Sequence, residues 1–418
     1  MWLVFVCKVL ESFAYFITSL NFTLFLTSAY GVSDVEAATA YGVWGVCASV
    51  LGAAVSPLID RMGVRTSLLL GGSVSLVGRV MFAGAPMSTI AYVSLFVVQT
   101  FGMCLGIPVL TIAVRRLAPP ERVSVSFGTF YACMNVGALA AGLVTDGVRS
   151  VYSEHDETYV LRILLWSAAG ASLLYLCAVA CIRSTFVVPE SPPLCGSVRS
   201  TLRDTVFWRL AVLSIVLLGA RSIFRHIDAT LPKWLQRTLG QGVPYGTLYA
   251  INPLCIIVLV PLLQHLLRRV DSYTVIGAGT LLSAAAPFIL GLAAPSIASV
   301  ATFMVVVSLG EATYSPRAIE YAMALAPVGQ EAVYSTLAST PLFLVKLLVG
   351  NLSGQLLESF CPQARPTDCG DVWTVIGCIA ASTPACLAAG HKWLYSERVR
   401  ERITSNVCVY DDDSTLSA

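Results

Sequence analysis

Apolar runs of about 20 residues, the length that crosses a hydrocarbon core as a helix, follow one another along almost the whole chain. They fall near residues 2–28, 39–59, 66–86, 90–113, 127–149, 160–182, 206–226, 246–266, 273–293, 297–323, 333–357 and 372–394. Short polar stretches separate them. The pattern predicts an all-α membrane protein with twelve transmembrane helices. The stretch 184–205 carries Pro189, Pro192, Pro193 and Gly196 and reads as a loop joining two halves. The expected organisation is a six-helix bundle over 1–183, the loop 184–205, a second six-helix bundle over 206–395 and a tail over 396–418.

The halves repeat. A shift of 208 residues carries Gly102 onto Gly310, Pro108 onto Pro316, Gly142 onto Gly350 and Arg61 onto Arg269. It also carries Leu117-Ala118-Pro119 onto Leu325-Ala326-Pro327. Two parallel six-helix repeats, pseudo-symmetric about a central axis, are the expected architecture, as in the major facilitator fold.

Composition sharpens this reading. The 418 residues are 56% hydrophobic and 12% charged, with a mean hydropathy of +0.76. A soluble domain of that size could not hide so much apolar surface. The first apolar stretch begins at Trp2 and lacks a basic flank, so it reads as a span and not as a cleavable signal peptide. With twelve spans, Arg61, Arg65, Arg115, Arg116, Arg122, Arg183, Arg199, Arg203, Arg268 and Arg269 share the side of both termini. The positive-inside rule then makes the termini cytosolic, in the plasma membrane or an organelle membrane. The segment 225–241 puts Arg225, Lys233 and Arg237 on the other side and reads as an extension of the seventh helix plus a short amphipathic piece. No basic patch interleaved with aromatics suggests nucleic acid. Most of the 13 cysteines stand singly in apolar spans, as packing residues. Cys361 and Cys369 share one polar loop and are a disulfide candidate if that loop is non-cytosolic.

The candidate chemistry lies in the charges within the spans. Glu11, Arg79, Arg221, Glu311 and Lys346 fall deep in apolar runs, where a charge is costly and is retained for a protein interior or a watery path. Lys346 is placed to pair with Glu311 or to receive an anionic group. Lys8 and Glu11, three apart on one helical face, could neutralise each other. Arg79 reads as a pin between helices. Arg221, Arg225 and Asp228 follow at spacings of four and three, and Arg317 and Glu320 at three.

Four motifs carry a family resemblance. Gly52 followed by Asp60-Arg61-Met62-Gly63-Val64-Arg65 resembles the major facilitator loop signature, in which Gly63 allows a tight turn. In helix 1, Lys8-Val9-Leu10-Glu11-Ser12-Phe13-Ala14-Tyr15-Phe16 resembles the Glu-x-x-Glu-Arg-Phe-x-Tyr-Tyr of proton-coupled oligopeptide transporters. The helix 5 run Phe130-Tyr131-Ala132-Cys133-Met134-Asn135-Val136-Gly137 and the helix 10 run Gly310-Glu311-Ala312-Thr313-Tyr314-Ser315-Pro316 are similar to that family's motifs. The resemblance implies that Asp60, Arg61, Gly63 and Arg65 form a cytosolic gate. It also implies that Glu11 takes up a proton, that Tyr15 and Asn135 line the substrate, and that Glu311 holds a substrate amine. Lys8 stands where the family has Glu, Ser12 where it has Arg, and Ile107 where it usually has Lys. These departures bear on the family's clamp for a peptide carboxylate.

The expectation is a secondary transporter that moves a small organic solute by alternating access, coupled to protons through Lys8, Glu11 and Glu311. The solute is peptide-like or amino-acid-like and touches Tyr15, Asn135, Arg221, Glu311 and Lys346. The alternative is a transporter-shaped receptor, or a facilitator without proton coupling. An intramembrane enzyme is disfavoured because none of the four histidines lies deep in a span. The expected partners are the solute, protons and the bilayer, acting on a monomer. No cofactor or metal is expected, and no Gly-x-x-x-x-Gly-Lys motif suggests ATP.

Overall fold

The computed structural model describes residues 1–62, 64–117, 123–182, 203–267, 270–325, 331–363 and 369–396, together with 399 and 401. Every regular element among them is helical. The helices are α1 (Trp2–Tyr30), α2 (Asp34–Met62), α3 (Val64–Gly84), α4 (Ser88–Val93 continued through Ser94–Gln99 and Thr100–Leu117), α5 (Val123–Val151) and α6 (Glu157–Ala180). Then come α7 (Thr205–Val216 and Leu218–Ala229), a short helix Leu231–Leu239, α8 (Tyr245–Leu266) and α9 (Ser272–Ala285 with Pro287–Leu292). The last three are α10 (Ile297–Leu325), α11 (Glu331–Phe360) and α12 (Gly370–Leu394). Ten of these are long and apolar enough to cross a membrane, and the bent pair of α7 makes eleven. α11, 30 residues long, is the twelfth long helix.

Local chemistry ends the helices where the polar breaks predict. Gly31 caps α1 in the left-handed conformation at φ 64°, its N–H donating to the Thr27 carbonyl. Asp156, Asp204 and Asp271 accept backbone N–H groups at the starts of α6, α7 and α9. The segment after α7 forms the short amphipathic helix that its charge pattern suggested.

Packing follows the repeat. Within the first six helices, α1 lies on α5 and α6, α3 on α4 and α6, and α2 on α4. The last six reproduce this: α7 on α11 and α12, α9 on α10 and α12, and α8 on α10. The two groups meet along α2 with α11 and α5 with α8, a pair of contacts that the same six-helix shift interchanges.

Glycines at the 208-residue offset make the close approaches. A methyl on Gly102 would fall 2.4 Å from the Ser75 nitrogen, and one on Gly310 would fall 2.6 Å from the Ser283 nitrogen. Between the groups, a methyl on Gly142 would meet the Gly246 carbonyl at 2.4 Å. One on Gly350 would meet the Ala38 carbonyl at 2.3 Å. Each contact is the counterpart of the other, because 38 and 142 shifted by 208 become 246 and 350. Backbone-to-backbone contact of this kind lets long helices pack tightly where apolar lipid gives no hydrophobic drive to associate.

A Gly350→Leu substitution should force α2 and α11 apart at a cost of about 1–3 kcal/mol, as overpacking does. Thermal unfolding of the purified protein in detergent should show a lowered midpoint. Gly147→Ala, where an added methyl meets nothing within 4 Å, should leave it unchanged.

Candidate functional site: charged clusters where the two halves meet

The geometry of the interior starts with a broken helix. The two pieces of α7 meet at an angle of 43°. Thr383 of α12 occupies the gap: its hydroxyl donates to the Val216 carbonyl at 2.8 Å and accepts from the Ala220 N–H at 2.9 Å. A side chain inserted into the hydrogen-bond ladder is a sufficient cause of such a bend. The second piece of α7 carries Arg221, Arg225 and Asp228 on neighbouring turns, and Arg225 and Asp228 contact the first half.

Asp228 is the hub. Its Oδ2 pairs with Arg225 Nη1 at 2.9 Å and accepts from Ser19 Oγ at 3.1 Å and the Tyr41 hydroxyl at 3.0 Å. One buried carboxylate oxygen thus ties α7 to α1 and α2. Arg225 Nη1 also donates to the Tyr15 hydroxyl at 3.3 Å. Beside this cluster Lys346 of α11, buried at 2% exposure, sits in a box of rings. Its ammonium lies 3.6 Å from the Trp44 centroid, 4.6 Å from Tyr41 and 5.0 Å from Tyr15. No described carboxylate comes within ion-pair distance of it, so the pairing with Glu311 suggested by the sequence is not formed.

Glu311 of α10 forms a second cluster. Asn252 Nδ2 of α8 donates to Glu311 Oε2 at 2.9 Å and to Ser308 Oγ at 3.0 Å. Tyr131 of α5 lies beside Ser315 and Glu311, and Arg221 beside Tyr314. Glu311, Asn252, Tyr131, Tyr15 and Arg225 are only partly buried, although each has neighbours on other helices.

Glu11 belongs to the first half alone. It pairs with Arg79 Nη2 of α3 at 3.2 Å, and Arg79 Nη1 donates to Ser172 Oγ of α6 at 2.5 Å. The suggested pairing of Glu11 with Lys8 gives way to Arg79, and the Lys8 ammonium lies 5.0 Å from the Phe130 centroid. Asn135 turns its amide onto its own helix, donating to the Tyr131 carbonyl at 3.0 Å. Arg65 donates to the Ala180 carbonyl, joining α3 to α6. Gly63 and the side chains of Asp60 and Arg61 lie outside the described residues.

An ion-pair cluster joins the two halves at the end of the helices opposite Met1. Asp34, at the start of α2, pairs with Lys233 Nζ at 2.7 Å and with Arg237 Nη2. Burial pushes the Lys233 ammonium below its ordinary range, and the Asp34 carboxylate opposes that shift. Cys361 and Cys369 are joined in a disulfide. The loop it closes accepts from Arg237 at the Cys361 carbonyl, 2.7 Å, and from the Trp234 indole at the Cys369 carbonyl, 2.9 Å. On the other side of the axis, Arg149 bonds Glu157 and the Gln241 carbonyl, while Asp146 accepts from the N–H groups of Gly246 and Thr247. A carboxylate at the N-terminus of α8 is favoured by both hydrogen bonding and the helix dipole. Sequence reading missed Asp34, Ser19, Tyr41, Trp44 and Asn252. Asp34 opens its helix as an acidic first-turn residue, and the other four are small or aromatic polar groups of types that apolar spans commonly carry.

The sequence matches the profile of the Major Facilitator Superfamily over residues 4–348. The chain belongs to that superfamily. No curated protein matches it. Among solved structures, a POT family transporter in complex with a thioalcohol-conjugated peptide superposes with a TM-score of 0.78 at 17% identity, covering 94% of this chain and 96% of that one. A POT family transporter in complex with 5-aminolevulinic acid gives 0.77 at 16% identity, over 94% and 96%. A bacterial homologue of human drug peptide transporters gives 0.73 at 16%, over 96% and 98%. At these identities the likeness shows the fold. This major facilitator transporter therefore shares with them an integral multi-pass architecture, and its Asp228 and Glu311 clusters lie where helices of the two halves meet.

Removing one partner of a buried ion pair strands the other charge, at a cost of about 3–5 kcal/mol. Arg79→Leu should therefore destabilise the protein markedly in thermal unfolding. Adding Glu11→Gln to it should recover most of the loss. Non-recovery would show that Arg79 acts through some contact other than Glu11.

Proposed function

We propose that this chain is a proton-coupled secondary transporter of a small zwitterionic solute, peptide-like or amino-acid-like, working by alternating access. One observation supports the reading above others. Partly exposed groups of opposite charge, Glu311 with Asn252 and Arg225 with Tyr15, lie among the helices where the halves meet. An amine suits the first pair and a carboxylate the second. The peptide and the amino acid in complex with the similar structures carry both groups.

On this reading the units are a bundle over 1–183, a loop over 184–205, a bundle over 206–395 and a tail over 396–418. The bundles rock about the midplane site. With the termini in the cytosol, the clamp of Asp34, Lys233 and Arg237 lies on the outer face and holds the outer gate shut. Glu311 is the group whose protonation accompanies transport: it is partly exposed, and its hydrogen-bond partner among the described residues is the neutral amide of Asn252. Glu11 is less suited to that task because Arg79 already holds its carboxylate. We read the protein as a transporter working as a monomer, and not as an enzyme.

Proteoliposomes with an imposed inward proton gradient test this. Alanyl-alanine uptake should respond to the gradient in the native protein and fall at least tenfold in Glu311→Gln. Gradient-indifferent uptake in both would favour a facilitator, and absence of uptake of any solute would favour a receptor. The gate is tested separately. Asp34→Asn should raise the labelling, by a membrane-impermeant thiol reagent, of a cysteine placed at Thr39 in α2. Unchanged labelling would show that the clamp does not hold that face closed.

A further inference from the structure

A cation of one half is held by rings of the other. Lys346 belongs to α11, and its ammonium lies 3.6 Å from the Trp44 centroid, 4.6 Å from Tyr41 and 5.0 Å from Tyr15. Trp44 and Tyr41 come from α2 and Tyr15 from α1. The backbones touch at the same level: a methyl on Gly42 would fall 3.1 Å from the Lys346 carbonyl oxygen and 3.0 Å from the Leu347 Cα. Gly42 lies between Tyr41 and Trp44 in sequence, so the approach it permits brings the lysine stem against both rings. Lys346, Tyr41 and Trp44 are among the largest fully buried side chains. The negative faces of aromatic rings attract an ammonium, most strongly where water is excluded.

Two features give this contact a role in movement. First, α2 is gripped by the second half at two depths. Asp34 opens the helix and pairs with Lys233 and Arg237. Trp44 stands further along the same helix, about 15 Å deeper at 1.5 Å per residue. Parting α2 from α11 takes the ammonium off rings that attract it, so the contact favours the arrangement seen here. Second, the box shares its walls with the Asp228 hub. Tyr41 donates to Asp228 Oδ2 at 3.0 Å, and Tyr15 accepts from Arg225 Nη1 at 3.3 Å. Both rings pack on Trp44, with centroids 6.1 and 5.6 Å away. The rings therefore cannot leave Lys346 without disturbing the Arg225 and Tyr15 pair proposed to meet a solute carboxylate. The 208-residue shift carries Lys346 onto Ala138 of α5 and Trp44 onto Asn252 of α8, both uncharged. The lysine and its box thus belong to one of the two interfaces between the halves.

We propose that Lys346 is a positioning residue for transport: with Trp44, Tyr41 and Tyr15 it forms a cation–aromatic lock that holds the halves in the present arrangement and opens in each cycle. The inference rests on the transport reading of this same site. Lys346 acts through the rings and not by touching the solute. Arginine keeps a cation that stacks on aromatic faces, so Lys346→Arg retains the lock. Lys346→Met keeps an apolar stem and loses the charge, so it does not.

The test reads the same Thr39→Cys reporter, because position 39 lies between the two grips on α2. The full chain in proteoliposomes is labelled with the membrane-impermeant thiol reagent, and each variant without Thr39→Cys serves as its blank. K346M should raise the labelling rate at least threefold, and K346R should stay within twofold of the native rate. W44L should raise it as K346M does, and K346M with W44L should exceed neither single variant, since both remove one contact. Unchanged labelling in K346M with a lowered unfolding midpoint means packing alone and overturns the proposal. Additive effects of K346M and W44L overturn it too, as does K346R behaving like K346M. The labelling needs no solute, so it judges the lock even if alanyl-alanine is not carried and the peptide-like reading fails. A rise in K346M with none in Asp34→Asn would keep the lock and dismiss the outer clamp. Should K346M fail to fold, as judged by size-exclusion chromatography, W44L and K346R decide the matter.

Discussion

A carboxylate withdrawn from water must have its charge and its lone pairs met by neighbours, and Asp228 meets that demand across the boundary between two helix groups. Arg225 comes from its own helix, and Ser19 and Tyr41 come from the other half. The relation of α7 to α1 and α2 at mid-depth depends on that hub. It also sets what surrounds it. Tyr41 is at once a donor to Asp228 and a wall of the Lys346 box, and Tyr15 accepts from Arg225 while forming another wall. Any rearrangement of the halves must therefore alter the environment of Asp228, Arg225 and Lys346 together.

The hub sits on a scaffold whose symmetry is nearly complete in packing and absent in chemistry. Glycine contacts at Gly102 and Gly310, and again at Gly142 and Gly350, repeat at one offset because each repeat must bring equivalent backbones together. The charged groups do not repeat. In the first half, Glu11 and Arg79 form a closed pair that binds α1, α3 and α6 into one body. In the second half, Glu311 and Arg225 remain partly exposed.

How much of this could be read from the chain differs by level. The twelve helices were legible because a span is a local property: about 20 apolar residues and a polar break suffice. The repeat was legible because Gly102, Gly142, Gly310 and Gly350 are backbone requirements, and those leave a mark on residue type. The candidates Tyr15, Glu11, Arg221, Glu311 and Lys346 were legible as anomalies, charged or motif-bearing residues in apolar runs. Their partners were not. Lys346 reads as a mate for Glu311, yet it lies among Trp44, Tyr41 and Tyr15, while Glu311 has Asn252.

The sequence by itself determined the membrane class, the helix count, the two-fold repeat, and which side chains are too costly to be idle. Only the tertiary structure decided who meets whom: Glu11 with Arg79 and not Lys8, Asp228 with Ser19 and Tyr41, and Asp34 with Lys233 and Arg237. The reason is physical. Hydropathy is summed along one helix, whereas a hydrogen bond or an ion pair depends on the rotation and depth of two helices far apart in the chain. Those are set by glycine contacts and by the Thr383-filled break of α7, which hydropathy along a single helix does not encode.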